Sequence, residues 1–215
     1  MGYYSKNTDR MDIHIEETRG TILIKQKWKY SWLTMAGATA WTYPEKKLFH
    51  SKVDNLIWNS WGNHFFLKVE GNSDFSKRNS DKKWDVNFDI EWVLSSEHWD
   101  VNVTKLPSNH VGYEVSSVRW DSKIITIDTK DTAYRKIQGP RKKYYQYPLV
   151  HEFGHAAGNT NKVPGMHGDE YKATSPYNGD KPSLMNLGNK LRSRHLDYVL
   201  SQLNTMVAGS TFSEY

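Results

Sequence analysis

Two histidines four residues apart, His151 and His155, constrain this chain more than any other feature. They lie in the run His151-Glu152-Phe153-Gly154-His155-Ala156-Ala157-Gly158. On an α-helix, residues at i and i+4 share a face, so both imidazoles reach one point in space. Glu152 stands beside the first ring and within reach of whatever is held there. Pro148 suits a first helical turn and Gly158 a helix end, which predicts a short helix over 148–157. Two imidazoles do not complete a four-coordinate metal site. The fold must therefore bring a further ligand to this helix from elsewhere in the chain.

The scaffold for such a helix is visible as patterned segments. Trp84, Val86, Phe88, Ile90 and Trp92 alternate with Asp85, Asn87, Asp89 and Glu91. A period of two is a strand with one buried and one wet face. Trp99, Val101 and Val103 repeat the pattern beyond a turn, and antiparallel pairing of the two strands is expected. Residues 21–28, 65–69 and 123–128 are further strand candidates, rich in β-branched and aromatic residues. After Pro44, Leu48, Phe49, Val53, Leu56, Ile57 and Trp61 form a helical stripe that ends at Gly62. Leu196, Val199, Leu200 and Leu203 mark a last helix over about 189–206. Residues 31–43 are apolar without a period and are expected to be buried. The segments 71–83, 129–147 and 159–184 read as loops. Residues 1–19 read as a flexible lead-in to one domain over 20–215.

Composition narrows the function classes. With 215 residues, 37% hydrophobic and 25% charged, the chain can bury a sizeable core. The net charge is +5, yet the densest basic run is only Arg141-Lys142-Lys143, beside Tyr144 and Tyr145. That short run reads as a solvated loop, so no nucleic-acid partner is expected. There is no cysteine, so a metal here must be held by histidine and carboxylate. The longest uncharged run, 31–44, is too short and polar to span a bilayer. Residues 1–20 lack the apolar stretch of a signal peptide.

His151, Glu152 and His155 match the H-E-x-x-H pattern of zinc hydrolases. In that chemistry the two imidazoles bind Zn2+, which lowers the pKa of a bound water towards ~7. A neighbouring carboxylate then serves as general base, and Glu152 is the candidate.

With Gly158, the pattern extends to H-E-x-x-H-x-x-G. A second segment, Asp180-Lys181-Pro182-Ser183-Leu184-Met185-Asn186-Leu187-Gly188, resembles the D-x-x-S-[IV]-M-x-x-G turn. Together they resemble the metzincin-type zinc metallopeptidases, and in particular short bacterial domains of toxin or effector type. The resemblance implies an α+β, zincin-like fold: a twisted sheet of mixed parallel and antiparallel strands, an active-site helix and a C-terminal helix. It implies that Met185 lies beneath the metal and that Gly158 turns the chain back to supply a third ligand. It covers most of residues 20–206, although only the two short segments carry it.

The third ligand departs from the family pattern. At the strict spacing stands Asn161, a poor zinc ligand. Some bacterial relatives carry a Gly-x-Asp-Glu-Tyr-like run at that position. Here Gly165-Met166-His167-Gly168-Asp169-Glu170-Tyr171 follows a few residues on, as if displaced by an insertion. Asp169 is favoured, His167 and His195 are the alternatives, and Glu170 is a weaker one. A tyrosine that follows the methionine by two residues in some metzincins is replaced by Leu187, leaving Tyr171 or Tyr177 as substitutes. The histidines at 14, 50, 64, 98 and 110 lack ligand spacing.

The function expected is zinc-dependent hydrolysis of peptide bonds in a protein or peptide substrate, by a monomer. Secretion or injection as a bacterial effector is the context that the resemblance implies. The alternatives are a cell-wall peptide amidase and a binding module that keeps zinc without turnover. Glu152 argues against the module, because a structural site needs no base beside its ligand.

Overall fold

In a computed structural model that describes residues 2–215, the chain opens on a hairpin and not on a loose lead-in. Tyr3–Asn7 (β1) pairs antiparallel with Asp12–Glu16 (β2), which pairs antiparallel with the long strand Thr21–Thr34 (β3). The cause is burial. Met11, Ile13 and Ile15 alternate with polar neighbours and are fully enclosed. The polar composition of the segment conceals these three anchors.

Helix Tyr43–Trp61 (α1) follows, with a capping box between Thr42 and Glu45. Next come Phe65–Gly71 (β4), the short helix Asp74–Arg78 (α2), Trp84–Trp92 (β5) and Trp99–Lys105 (β6). Ser117–Arg119 (β7) and Ile124–Asp128 (β8) form an antiparallel pair. Arg135–Gln138 (β9) and Lys143–Gln146 (β10) make a separate hairpin in the stretch expected as loop. Helix Pro148–Ala156 (α3) carries the histidine pair. A 3-10 turn at Ser193–Leu196 leads into Asp197–Leu203 (α4), shorter than its apolar pattern implied. Strand Ser210–Glu214 (β11) closes the chain.

The fold is α+β around one mixed sheet, in the order β11-β4-β5-β3-β6-β8-β7. β5 and β6 do not pair with each other, contrary to expectation. Both run parallel to β3, β5 along Thr21–Trp28 and β6 along Trp28–Thr34. Alternation specifies which face of a strand is buried, and it is silent about which strand lies next door.

Trp28, Trp61, Trp84 and Trp99 fill the core together with Phe88 and Phe153. From α1, Phe49, Val53, Ile57 and Trp61 face inward. The end of β3 and the turn beyond it, expected to be buried, stand mostly in solvent; Leu33 is 48% exposed. Only Trp32, Met35, Ala38 and Trp41 are partly covered there, because beyond Trp28 the strand has a neighbour, β6, on one side only. No helix among the described residues is long and apolar enough to cross a membrane.

Candidate metal centre

α3 is enclosed almost all round, with Leu149, Val150, Phe153 and Ala156 in the core. Its ends are tied to the sheet side of the molecule. Leu149 N donates to the Asp131 carbonyl at the N-terminus, and Gln26 Nε2 donates to the Ala156 carbonyl at the C-terminus. The floor is equally close. A Cβ on Gly154 would lie 2.5 Å from Met185 Sδ and 3.2 Å from the Trp61 ring, so glycine is required for the approach. Gly158 has φ +111°, and a Cβ there would lie 2.3 Å from Tyr198.

The rings of His151 and His155 converge on Asp169. His151 Nε2 lies 3.3 Å and His155 Nε2 3.0 Å from Asp169 Oδ1. These three donor atoms all lie within 4.8 Å of one another, the one such group of histidine and carboxylate among the described residues. His151 Nδ1–H donates to the Leu184 carbonyl at 2.8 Å, and His155 Nδ1–H to the Asn159 carbonyl at 2.6 Å. A carbonyl only accepts, so each proton sits on Nδ1 and each Nε2 of a neutral ring presents a lone pair. The two Nε2 atoms thus face one carboxylate oxygen, an arrangement that a cation between them satisfies. Tetrahedral ligands at zinc–donor distances of ~2.0–2.1 Å lie about 3.3 Å apart, close to the two nitrogen–oxygen distances here, so this group could hold a metal ion such as zinc.

The loop explains how Asp169 arrives. Residues 159–168 double back until a Cβ on Gly168 would meet Asn161 Oδ1 at 2.0 Å. Gly168 thereby stands against Asn161, and Asp169, the next residue, reaches the two imidazoles. His167 and His195 are not in the group. The His167 ring packs edge-on to Tyr177 with centroids 4.8 Å apart. His195 is buried, with Nε2 3.1 Å from Ser183 Oγ and 3.3 Å from Glu170 Oε1. Glu170 is taken up by Arg194, whose Nε and Nη2 donate to its two oxygens at 2.6 and 2.9 Å. The other histidines, at 14, 50, 64, 98 and 110, belong to no such group.

Glu152 is buried beside His151. Burial pushes its carboxyl up to about 7, the His151 ring opposes this, and the Asp131 and Asp169 carboxylates add to it. Tyr171 lies over His151, with ring centroids 6.4 Å apart and planes at 27°. Burial, followed by the Asp169 carboxylate, pushes its phenol up to about 12, so it stays a proton donor at neutral pH. Tyr177 packs instead beneath the Arg194 guanidinium. The site opens into a cleft of about 570 Å³ between β7 and the 160–172 loop, which His151, Glu152, His155, Asp169 and Tyr171 all line. A cleft of about 700 Å³ lies elsewhere, around Tyr134 and Tyr147, and holds none of these groups, so volume does not mark the site.

Several supporting residues have no motif. Gln146 Nε2 donates to the Leu184 and Gly188 carbonyls, both at 2.7 Å, and so holds the Met185 turn. Asn159 Nδ2 donates to the Gly154 and His195 carbonyls. Backbone carbonyls such as Leu184 and Asn159 leave no mark in a sequence. Gln26 does leave one, as the polar member of the buried row Ile22, Ile24, Trp28 and Tyr30.

The Glu170–Arg194 pair gives a pH dependence. Burial pushes the Glu170 carboxyl up, but hydrogen bonds from His195, Arg194 and Ser183 outweigh it and hold it at about 2, below an ordinary 4.5. A depressed carboxyl stabilises the fold fully above about pH 4.5 and loses that contribution as pH falls towards about 2. In urea unfolding, wild type is expected to exceed Glu170→Gln in stability at about pH 5.5, with the gap narrowing by about pH 3. A gap that stays constant over this range would contradict the assignment.

No protein-family model matches the chain, nor does any curated protein or any solved structure.

Proposed function

We propose that this chain is a zinc-dependent metallopeptidase of the zincin-like, metzincin-type arrangement that its motifs resemble. The observation that carries the reading is the convergence of the His151 and His155 Nε2 atoms on Asp169, with Glu152 buried alongside. A zinc ion held by these three residues supplies Lewis acidity to a substrate carbonyl and acidity to a water. Glu152 accepts a proton from the attacking water as the new C–O bond forms. It returns that proton to the leaving nitrogen as the C–N bond breaks. Tyr171, the phenol within the cleft, donates a hydrogen bond to the carbonyl oxygen as negative charge builds there. β7 pairs with β8 on one side and ends the sheet, so its other edge is open along the cleft. An extended peptide laid there gains main-chain hydrogen bonds and presents a carbonyl to the site.

Removal of the metal tests the reading. Protein stripped with a chelator should lose cleavage of an unstructured peptide library, and stoichiometric zinc should restore it. Zinc bound with no cleavage of any library peptide would support a binding module instead.

A further inference from the structure

The two oxygens of Asp169 face different neighbours. Oδ1 stands 3.3 Å from His151 Nε2 and 3.0 Å from His155 Nε2. Oδ2 stands 2.8 Å from the ammonium of Lys172, the one lysine or arginine paired with this carboxylate among the described residues. The Asp169 side chain is 16% exposed, so the ammonium meets a carboxylate largely withdrawn from water, unlike an ordinary surface pair. The backbone on either side is fixed. Glu170 N donates to the Met185 carbonyl at 2.8 Å, and Arg194 grips the Glu170 carboxylate. The Lys172 carbonyl accepts from Ser175 N at 3.0 Å and from Asn178 Nδ2 at 3.2 Å. These contacts place the backbone of the segment, but they do not set the turn of the Asp169 carboxylate about its own bonds. Its two oxygens are chemically alike, and a carboxylate binds cations through one or both. The contact with Lys172 breaks that equivalence.

We propose that Lys172 is a positioning residue for the metal: it holds Asp169 Oδ2 and so presents Oδ1 to the site shared with the two imidazoles. The inference rests on the metal centre proposed above and extends it to a residue outside both motifs. Lysine suits the task, because a protonated ammonium donates hydrogen bonds and has no lone pair with which to ligate a metal itself. Two effects of the lysine oppose each other. Its charge repels an arriving divalent cation, while its hydrogen bond spares the carboxylate the cost of being ordered on binding. The Lys172 side chain is 51% exposed, so solvent screens the repulsion. The orienting contact is of the kind whose loss costs about 10–100-fold in metal affinity, and it is the larger effect. The Tyr171 phenol also hydrogen-bonds Asp169, but the proposed reaction calls on that phenol for the substrate. The ammonium of Lys172 pairs with Asp169 alone.

Zinc affinity of the chain, titrated against a competing chelator, tests this without any reading of cleavage. Lys172→Met keeps the reach of the side chain and removes its charge and donors. It is expected to bind zinc about 10–100-fold more weakly than wild type. Lys172→Arg restores a cationic donor and should recover most of that loss. Equal or tighter binding by Lys172→Met would overturn the proposal, because the lysine would then be a bystander or a repelling charge. So would a loss in Lys172→Arg as large as that in Lys172→Met. Urea unfolding of the metal-free proteins checks the fold, and the midpoint of Lys172→Met should lie close to that of wild type. If it falls well below, Lys172→Gln takes its place in the titration. Wild type that takes up no zinc would remove the metal centre and this inference with it. Zinc bound equally by wild type and Lys172→Met would remove this inference alone.

Discussion

If the proposed reading holds, replacing Glu152 by glutamine should lower peptide cleavage by about a hundredfold to ten-thousandfold, the range that general acid–base catalysis contributes, and leave zinc bound. The amide keeps the size and position of the carboxyl but has no site for the proton. His151, His155 and Asp169 are untouched, so metal content by elemental analysis should match wild type. The pH profile provides a second readout. Glu152 must be ionised to accept a proton, so wild-type cleavage rises with pH through its titration. Burial pushes that carboxyl up to about 7 without a cation, and a divalent charge beside it moves the rise to lower pH. The variant should lose this limb. Cleavage within tenfold of wild type by Glu152→Gln would falsify the assigned role.

The second large effect is on the metal. Asp169→Ala removes the oxygen on which both imidazoles converge. Loss of a residue that merely orients a ligand costs 10–100-fold in affinity as a rule, so loss of a ligand should cost more than about a hundredfold. His155→Ala should do the same. His167→Ala should leave zinc affinity unchanged, because its ring packs on Tyr177 and is not in the group that could hold the ion. His195→Ala removes a buried partner of Glu170 and should lower stability while zinc still binds. Titration with a competing chelator separates these cases. Full zinc affinity in Asp169→Ala, with loss in His167→Ala or His195→Ala, would move the third ligand to that histidine.

Much of this site is legible in the residues because its parts are close in sequence. The i, i+4 spacing aligns two rings on any helix, whatever surrounds it, and Pro148 and Gly158 bound that helix by local backbone chemistry. The buried faces of β5 and β6 follow from alternation for the same reason. The aspartate is a different case. Asp169 lies fourteen residues beyond His155, and nothing local says that the intervening loop doubles back to bring Gly168 against Asn161.

Elements whose neighbours are distant in the chain were hidden in the same way. Met11, Ile13 and Ile15 anchor a hairpin inside a polar segment, and their burial depends on β3 lying alongside. β5 and β6 look like a hairpin because they are consecutive, yet each pairs with β3. Leu48 fits the apolar period of α1 but faces solvent, because four other residues of that helix already cover the sheet. Periodicity and spacing are short-range properties, set by backbone geometry within a turn or a strand. They specify the histidine helix, its adjoining carboxylate and the faces of the strands. Strand order, the return of the loop and the Leu184 carbonyl that orients His151 arise from long-range packing. There the burial of a whole sheet outweighs any local preference.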